Sequence, residues 1–286
     1  MNAVLVPDAL DSITLHPPGI HAGIPAEIYH RKELGVVNKG ALDQLARTPA
    51  HYRAWLADTD PHDTPALIFG RALHELVLEP ELFAHEYAQQ PDFGDLRTKL
   101  GRERRDAWHA EHAGVSLVSA DDWQRLQAMR DAVMAHPIAG KLFVGGVAES
   151  TAIWTDPDTG LLCKSRMDYH IASRGLVIDL KSTEDASESG FARSVATYRY
   201  HVQHAHYASA FQSLGHELRA FLFVAVEKTA PYAVNVHCID ADAEARGMEL
   251  RDRDMAKLNQ CLQTDTWPGY EPTIHTLSLP RWAMND

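Results

Sequence analysis

The chain has 286 residues, enough for one large domain or two small ones with a sizeable buried core. Hydrophobic residues make up 45% and charged residues 23%. No run approaches the ~18 apolar residues of a membrane span, and no basic segment followed by an apolar run opens the chain, so neither a span nor a secretory leader is expected. The net charge of −12, taken alone, argues against a nucleic-acid binder, yet leaves room for a local basic groove beside acidic metal ligands. Cys163, Cys238 and Cys261 are far apart and odd in number, which gives neither a disulfide framework nor a zinc or iron–sulfur spacing. A reducing cytoplasm is the expected compartment.

Residues 1–26 hold four prolines and little periodicity, and read as a loosely ordered arm before one domain over 27–286. Asn38 can cap a helix ending near Arg47, and Thr48-Pro49 opens another through Leu56 by the N-cap–proline pairing. A loop over Pro61–Pro65 precedes an apolar helix from Ala66 to Leu78, closed by Pro80. Arg97, Lys99, Arg102, Arg104 and Arg105 make a basic run that is either a solvated helix face or a nucleic-acid contact. Ser119 with Asp122 resembles a capping box for a helix to about His136.

The pattern then changes. Val147–Trp154, Leu161–Ile171 and Leu176–Lys181 read as three strands of a meander, separated by turn chemistry at Asp156–Gly160 and Ser173–Gly175. Helical sequence follows from about Ser187 to Leu214, then strands at Leu218–Glu227 and Tyr232–Ile239, then a helix capped by Asp240 to about Leu262. This order predicts an α/β fold, a central mixed sheet flanked by helices.

If the second turn of the meander centres on Ser173-Arg174, antiparallel pairing sets Asp168 opposite Asp179 on one face. Two facing carboxylates repel, so a divalent cation or a lysine is needed nearby. Lys181 shares the face of Asp179 by strand periodicity, and Lys164 and Arg166 share that of Asp168. A one-residue slip would separate the acids, and the alternative is a solvated face of surface ion pairs. Asp179 lies within the apolar run Leu176–Leu180, where a carboxylate is rarely left unpaired. His74 sits on an apolar helix and by itself reads as a core histidine. Glu149 opens a strand and by itself reads as exposed. Tyr200, Gln203 and Tyr207 share one helical face, and the amide of Gln203 needs partners there. His201, His204, His206, His109 and His112 form no HExxH pattern and read as surface residues. There is no GxSxG elbow and no GxxxxGK[ST] loop, so a serine hydrolase or an ATPase is disfavoured.

Asp168 followed by Asp179-Leu180-Lys181 matches the PD-(D/E)XK signature, with Met167 where proline usually precedes the first acid. Asn38–Leu42, Thr48–Tyr52, Phe69–His74 with Leu78-Glu79-Pro80, Glu149, Trp154, Asp156, Thr159–Lys164, the QxxxY pair Gln203 and Tyr207, and Trp267–Tyr270 follow in order. Together they resemble the RecE-like exonucleases (exodeoxyribonuclease VIII type) of the PD-(D/E)XK nuclease superfamily, from about Ile28 to Tyr270. The resemblance implies a restriction-endonuclease-like core and Mg²⁺ or Mn²⁺ held by Asp168, Asp179, the backbone carbonyl of Leu180 and His74. It implies that Lys181 positions water or stabilises charge on the phosphate, that Glu149 lies near the cations, and that Gln203 and Tyr207 brace the site or touch the DNA backbone.

The activity implied is degradation of one strand of double-stranded DNA from its ends, 5′ to 3′, for single-strand-annealing recombination. A ring-shaped homo-oligomer, a RecT-type annealing protein as partner and a phage context are implied with it. Two alternatives stand beside this reading. One is an endonuclease or defence nuclease of the same fold, without the iron–sulfur branch because three scattered cysteines cannot supply four ligands. The other is an inactive DNA-binding or assembly protein.

Overall fold

The fold is that of a computed structural model, and the structure describes residues 12–58, 64–279 and 284. Strands β1 (Gly19–His21) and β2 (Val36–Val37) flank helix α1 (Ala26–His30), and α2 (Lys39–Arg47) and α3 (Pro49–Ala57) follow. The Asn38 side chain accepts from Ala41 N–H and the Thr48 hydroxyl from His51 N–H, so both predicted caps form. Helices α4 (Pro65–Leu78) and α5 (Pro80–Glu86) precede a two-stranded parallel ribbon of β3 (Tyr87–Gln89) and β4 (Ser116–Val118), with α6 (Lys99–Glu111) between its strands. Then come α7 (Ala120–Ala135), capped by Ser119, and α8 (Ala139–Leu142).

The meander is β5 (Val147–Thr155), β6 (Leu162–Ile171) and β7 (Leu176–Thr183). Helices α9 (Glu188–Thr197) and α10 (Tyr200–Ser213) carry the chain to β8 (Ala220–Glu227), parallel to β7, and β9 (Val234–His237) returns antiparallel. Helix α11 (Ala241–Thr264) closes the fold. The main sheet runs β1-β5-β6-β7-β8-β9, with β2 beside β6, and is mixed as predicted.

Two apolar layers sandwich this sheet. Val177 and Phe223 pack into a cluster with residues of α2, α10 and α11, and their neighbours Ile178 and Val224 into one with α4, α7 and α8. Adjacent strand residues point to opposite faces, so the clusters lie on opposite sides of the sheet.

The sheet forks at β6. One edge of β6 pairs with β5 along its length, from Leu162 to His170. The other edge pairs with β2 at Leu162 and Cys163 and with β7 only at Tyr169–Ile171. Between these patches the β6 edge needs other partners, because unpaired backbone groups are costly to bury. Helix α10 supplies them: His206 Nε2 donates to the Lys164 carbonyl at 3.1 Å and the Tyr207 hydroxyl to the Arg166 carbonyl at 2.6 Å.

Several expectations are corrected. The helical stretch from Ser187 to Leu214 is two helices, broken where Arg199 takes φ 56°. In the segment read as a loosely ordered arm, Ile13 and Ile24 are buried and Gly19–His21 pair with β5, because the β5 edge needs a partner and apolar surface there needs cover. Residues 1–11 of that segment, and residues 61–63 of the expected loop, lie outside the described residues. His204 and His206 are buried rather than on the surface, since α10 lies between the sheet and α11. The basic run, by contrast, takes one of its two expected readings, a solvated face: it lies on the exposed α6 and just before it, where Arg97, Lys99 and Arg105 pair with Asp95, Glu103 and Asp106.

Candidate active site

The acids meet at the fork. Tyr169 pairs with Ile178 and Ala148 with Tyr169, and one further step in each register sets Glu149, Asp168 and Asp179 in a row across β5, β6 and β7. The β6–β7 ladder ends before this row, and the β5–β6 ladder skips it and resumes at Ser150 and Met167. Glu149 has φ 50°, and the Leu180 N–H donates to Asp168 Oδ2 at 2.8 Å. The inward–outward alternation also slips here. Trp154 and Met167 pack on the α10 side, whereas Ala148 and Tyr169, at the same parity along β5 and β6, pack on the α4 side. This slip lets Asp168 reach residues from both layers.

From the α4 side comes His74, whose Nδ1 lies 3.5 Å from Asp168 Oδ2. Ligand atoms of His74, Glu149 and Asp168 all fall within 4.8 Å of one another. The helix behind them forms from an apolar run capped by Thr64 with Pro65 at its first turn, and it buries Leu73 and Val77 while leaving His74 half-buried at the fork. From the α10 side comes Gln203, whose amide donates to Asp179 Oδ2. The ammonium of Lys181 pairs with Asp179 Oδ1 and lies 5.1 Å from the centre of the Tyr200 ring.

Electrostatics follow this crowding. Burial, then the charge of Asp168, pushes Glu149 up to about 8 and Asp179 up to about 6. Burial opposes the charge of Lys181, but the carboxylates of Asp179 and Asp168 outweigh it and raise its pKa. The carboxyl row therefore holds more negative charge than its lysine offsets.

A divalent cation fits this donor set. Two carboxylates and an imidazole converge within one coordination sphere, and burial and repulsion penalise their charge in the absence of a counter-ion. Asp179 is not in that tight group, since its oxygens are engaged by Gln203 and Lys181, although it lies close enough to Asp168 for their charges to interact.

Of the residues expected at the site, Asp168, Asp179, Lys181, Glu149, His74 and Gln203 converge at the fork. Tyr207 braces β6 one residue before Met167-Asp168. Leu180 touches the centre through its N–H, and its apolar side chain is buried. Lys164 does not join the acids: its ammonium donates to the Arg31 carbonyl at 2.8 Å, and burial pulls its pKa down to about 8. Arg166 stays close, 3.8 Å from Glu149, with its guanidinium over the Tyr29 ring at 4.4 Å. Tyr29 and Thr151, the latter accepting from Arg166 Nε at 3.1 Å, were not legible as site residues. Tyr29 reaches Arg166 because α1 folds over β6, and Thr151 because it is the cross-strand partner of Arg166 on β5.

A forked mixed sheet with an acid on one strand, acid-X-Lys on the next and a helix holding both through glutamine and tyrosine defines the PD-(D/E)XK nuclease-like class. The chain belongs to a family within it, the PDDEXK-like domain of unknown function (DUF3799), which matches residues 40–277. Among solved structures it is similar to a candidate exonuclease of Eubacterium rectale, at 14% identity and a TM-score of 0.60, covering 93% of this chain and 99% of that one. A phage-related exonuclease of Haemophilus somnus 129PT is 11% identical with a TM-score of 0.32, covering 80% of this chain and 96% of that one. At such identities the first of these likenesses speaks for the fold. No curated protein matches the chain.

Proposed function

We propose that the protein is a metal-dependent exonuclease that degrades one strand of double-stranded DNA from its ends, 5′ to 3′. The observation that carries this reading is the carboxyl row Glu149–Asp168–Asp179 at the mouth of the fork, flanked by His74 and Lys181. Asp168, Glu149 and His74 would hold Mg²⁺ or Mn²⁺, with Asp179 and the carbonyl of Leu180 completing the set. When bound, the cation supplies Lewis acidity to the phosphodiester and to the water that attacks it.

The chain's own residues do the rest. Gln203 fixes the rotamer of Asp179 by its amide hydrogen bond, leaving the carboxylate no freedom to turn from the site. Lys181, held cationic by two carboxylates, donates to the attacking water or to a phosphate oxygen as negative charge grows. Glu149, which burial and then the charge of Asp168 raise to about 8 without a cation, would offer its carboxylate to the cation at the edge of the row. Tyr207 holds the strand that carries Asp168.

Recombination by single-strand annealing with a RecT-type partner, and a ring of subunits around the DNA, belong to the same proposal. The resemblance of the motifs supports them. A ring would reconcile processivity with a net charge of −12, because only the channel need be positive.

The test is digestion of linear duplex DNA labelled at one 5′ end, beside a closed circle, with magnesium and with chelator. Magnesium-dependent loss of the linear label with the circle spared is the expected result. Cutting of the circle would favour an endonuclease, and no cutting of either would leave a binding protein.

A further inference from the structure

Beyond Lys181 the end of β7 and the flank of α9 enclose a cleft of about 470 Å³. That volume lies within the ~300–1,000 Å³ of small-ligand sites. Its walls carry the hydroxyl residues Ser182, Thr183, Ser194 and Thr197 and the rings of Tyr198 and Tyr200. Its charged residues cancel one another: Arg193 lies 3.3 Å from Asp185 and Lys228 2.9 Å from Glu184. Such a surface is poor for phosphate and suited to a flat, polar, uncharged group.

The aromatic wall is built to stay in place. Arg199 takes φ 56°, a conformation that residues other than glycine rarely adopt. Its guanidinium donates to the Leu42 carbonyl at 2.8 Å and pairs with Asp254 at 2.6 Å, which holds the turn. The Lys39 ammonium donates to the Tyr198 carbonyl at 2.7 Å. The turn presents Tyr198 outward, 58% exposed, with its ring stacked on Tyr200 at 5.6 Å and 28°. Tyr200 stacks in turn on buried Phe223 at 5.7 Å, and Lys181 lies against the Tyr200 ring. An anchored ladder of rings thus runs from the lysine of the carboxyl row to solvent.

We infer that this cleft receives the nucleobase next to the phosphate being cut, stacked on the outer face of Tyr198. The inference rests on the nuclease reading and adds to it a site for one unpaired base. Aromatic stacking accepts every base, so such a platform holds a strand end without sequence preference. The base must leave the duplex to reach the cleft, so the occupant is a single-stranded terminal nucleotide.

The experiment uses the full chain in chelator, where no metal-dependent cleavage occurs, and single-stranded oligonucleotides carrying 2-aminopurine at successive positions from either end. The expected result is quenching of the fluorophore near one end. Tyr198→Ala should abolish that quenching and weaken binding about tenfold, whereas Tyr198→Phe and Tyr198→Trp should keep both. Tyr198 is exposed, and circular dichroism checks that the variants fold. Quenching and affinity unchanged in Tyr198→Ala, or no quenching at any position, would overturn the inference. Cleavage of linear duplex by the unmodified protein is measured in parallel. Cleavage without Tyr198-dependent quenching removes the base site alone; Tyr198-dependent quenching without cleavage keeps the base site and removes the nuclease reading.

Discussion

Asp168 is the residue on which both layers converge. It accepts from the Leu180 N–H, faces His74 at 3.5 Å and raises the pKa of Glu149 and Asp179 by its charge. Asp168→Asn keeps the size and removes the charge. Thermal unfolding of the parent should shift upward with magnesium or manganese, by about 2.7 kcal/mol at 100 times the dissociation constant. In Asp168→Asn most of that shift and the cleavage should be lost; an undiminished shift would take Asp168 out of the ligand set. His74→Ala should raise the metal concentration needed for activity by at least about tenfold. An unchanged metal titration would return His74 to the packing role that its apolar helix suggests. The sequence pointed to Asp168 and Asp179 as a facing pair, because the register follows from a turn centred on Ser173-Arg174. It pointed to Glu149 only through family likeness, since nothing in a strand pattern marks a residue at φ 50°.

At the scale of elements, α10 is the brace of the fork and α11 holds α10 in place. Sequence periodicity made both helical. It could not show that Gln203, His206 and Tyr207 serve two strands, because those bonds depend on β6 losing its β7 partner at Asp168. Helix α11 docks through Arg251, which pairs with buried Asp156 at the β5–β6 turn. Its burial opposes the charge, but hydrogen bonds to Asp156 raise its pKa further. Arg251→Ala leaves the Asp156 carboxylate buried without its cation and should lower the unfolding free energy by about 3–5 kcal/mol. Urea unfolding of the metal-free protein reads this directly. A loss below about 1 kcal/mol, the range of exposed pairs, would mean that the pair is not what fastens α11.

For the whole molecule, the buried ionisable groups give stability a definite dependence on pH. Burial pulls the imidazole of His206 down to about 3, from 6.5. Between those values the unfolded chain binds a proton that the folded chain does not. Stability from this group is therefore present above about 6.5 and falls as pH drops, by up to about 1.4 kcal/mol per pH unit. Glu149 and Asp179 act in the opposite sense, because their raised pKa values make folding take up protons below about 8 and about 6. The comparison of the parent with His206→Asn isolates the histidine. Between pH 4 and 6 the variant should show a shallower acid loss of unfolding free energy, and equal slopes would mean that His206 is not neutral in the fold.

Local rules carried the sequence a long way. Asn38, Thr48, Ser119 and Asp240 cap the helices they were expected to cap, since a side-chain oxygen beside free N–H groups is a short-range effect. The meander, the mixed sheet and the acid-X-Lys strand follow from periodicity and turn chemistry in the same way. Tertiary structure alone decided the fork, the slip in alternation at Glu149 and Asp168, the turning of Lys164 to the Arg31 carbonyl and the burial of His206. Each of these depends on which distant backbone groups lack a partner and which charges meet, quantities that exist only once strands and helices have been brought together.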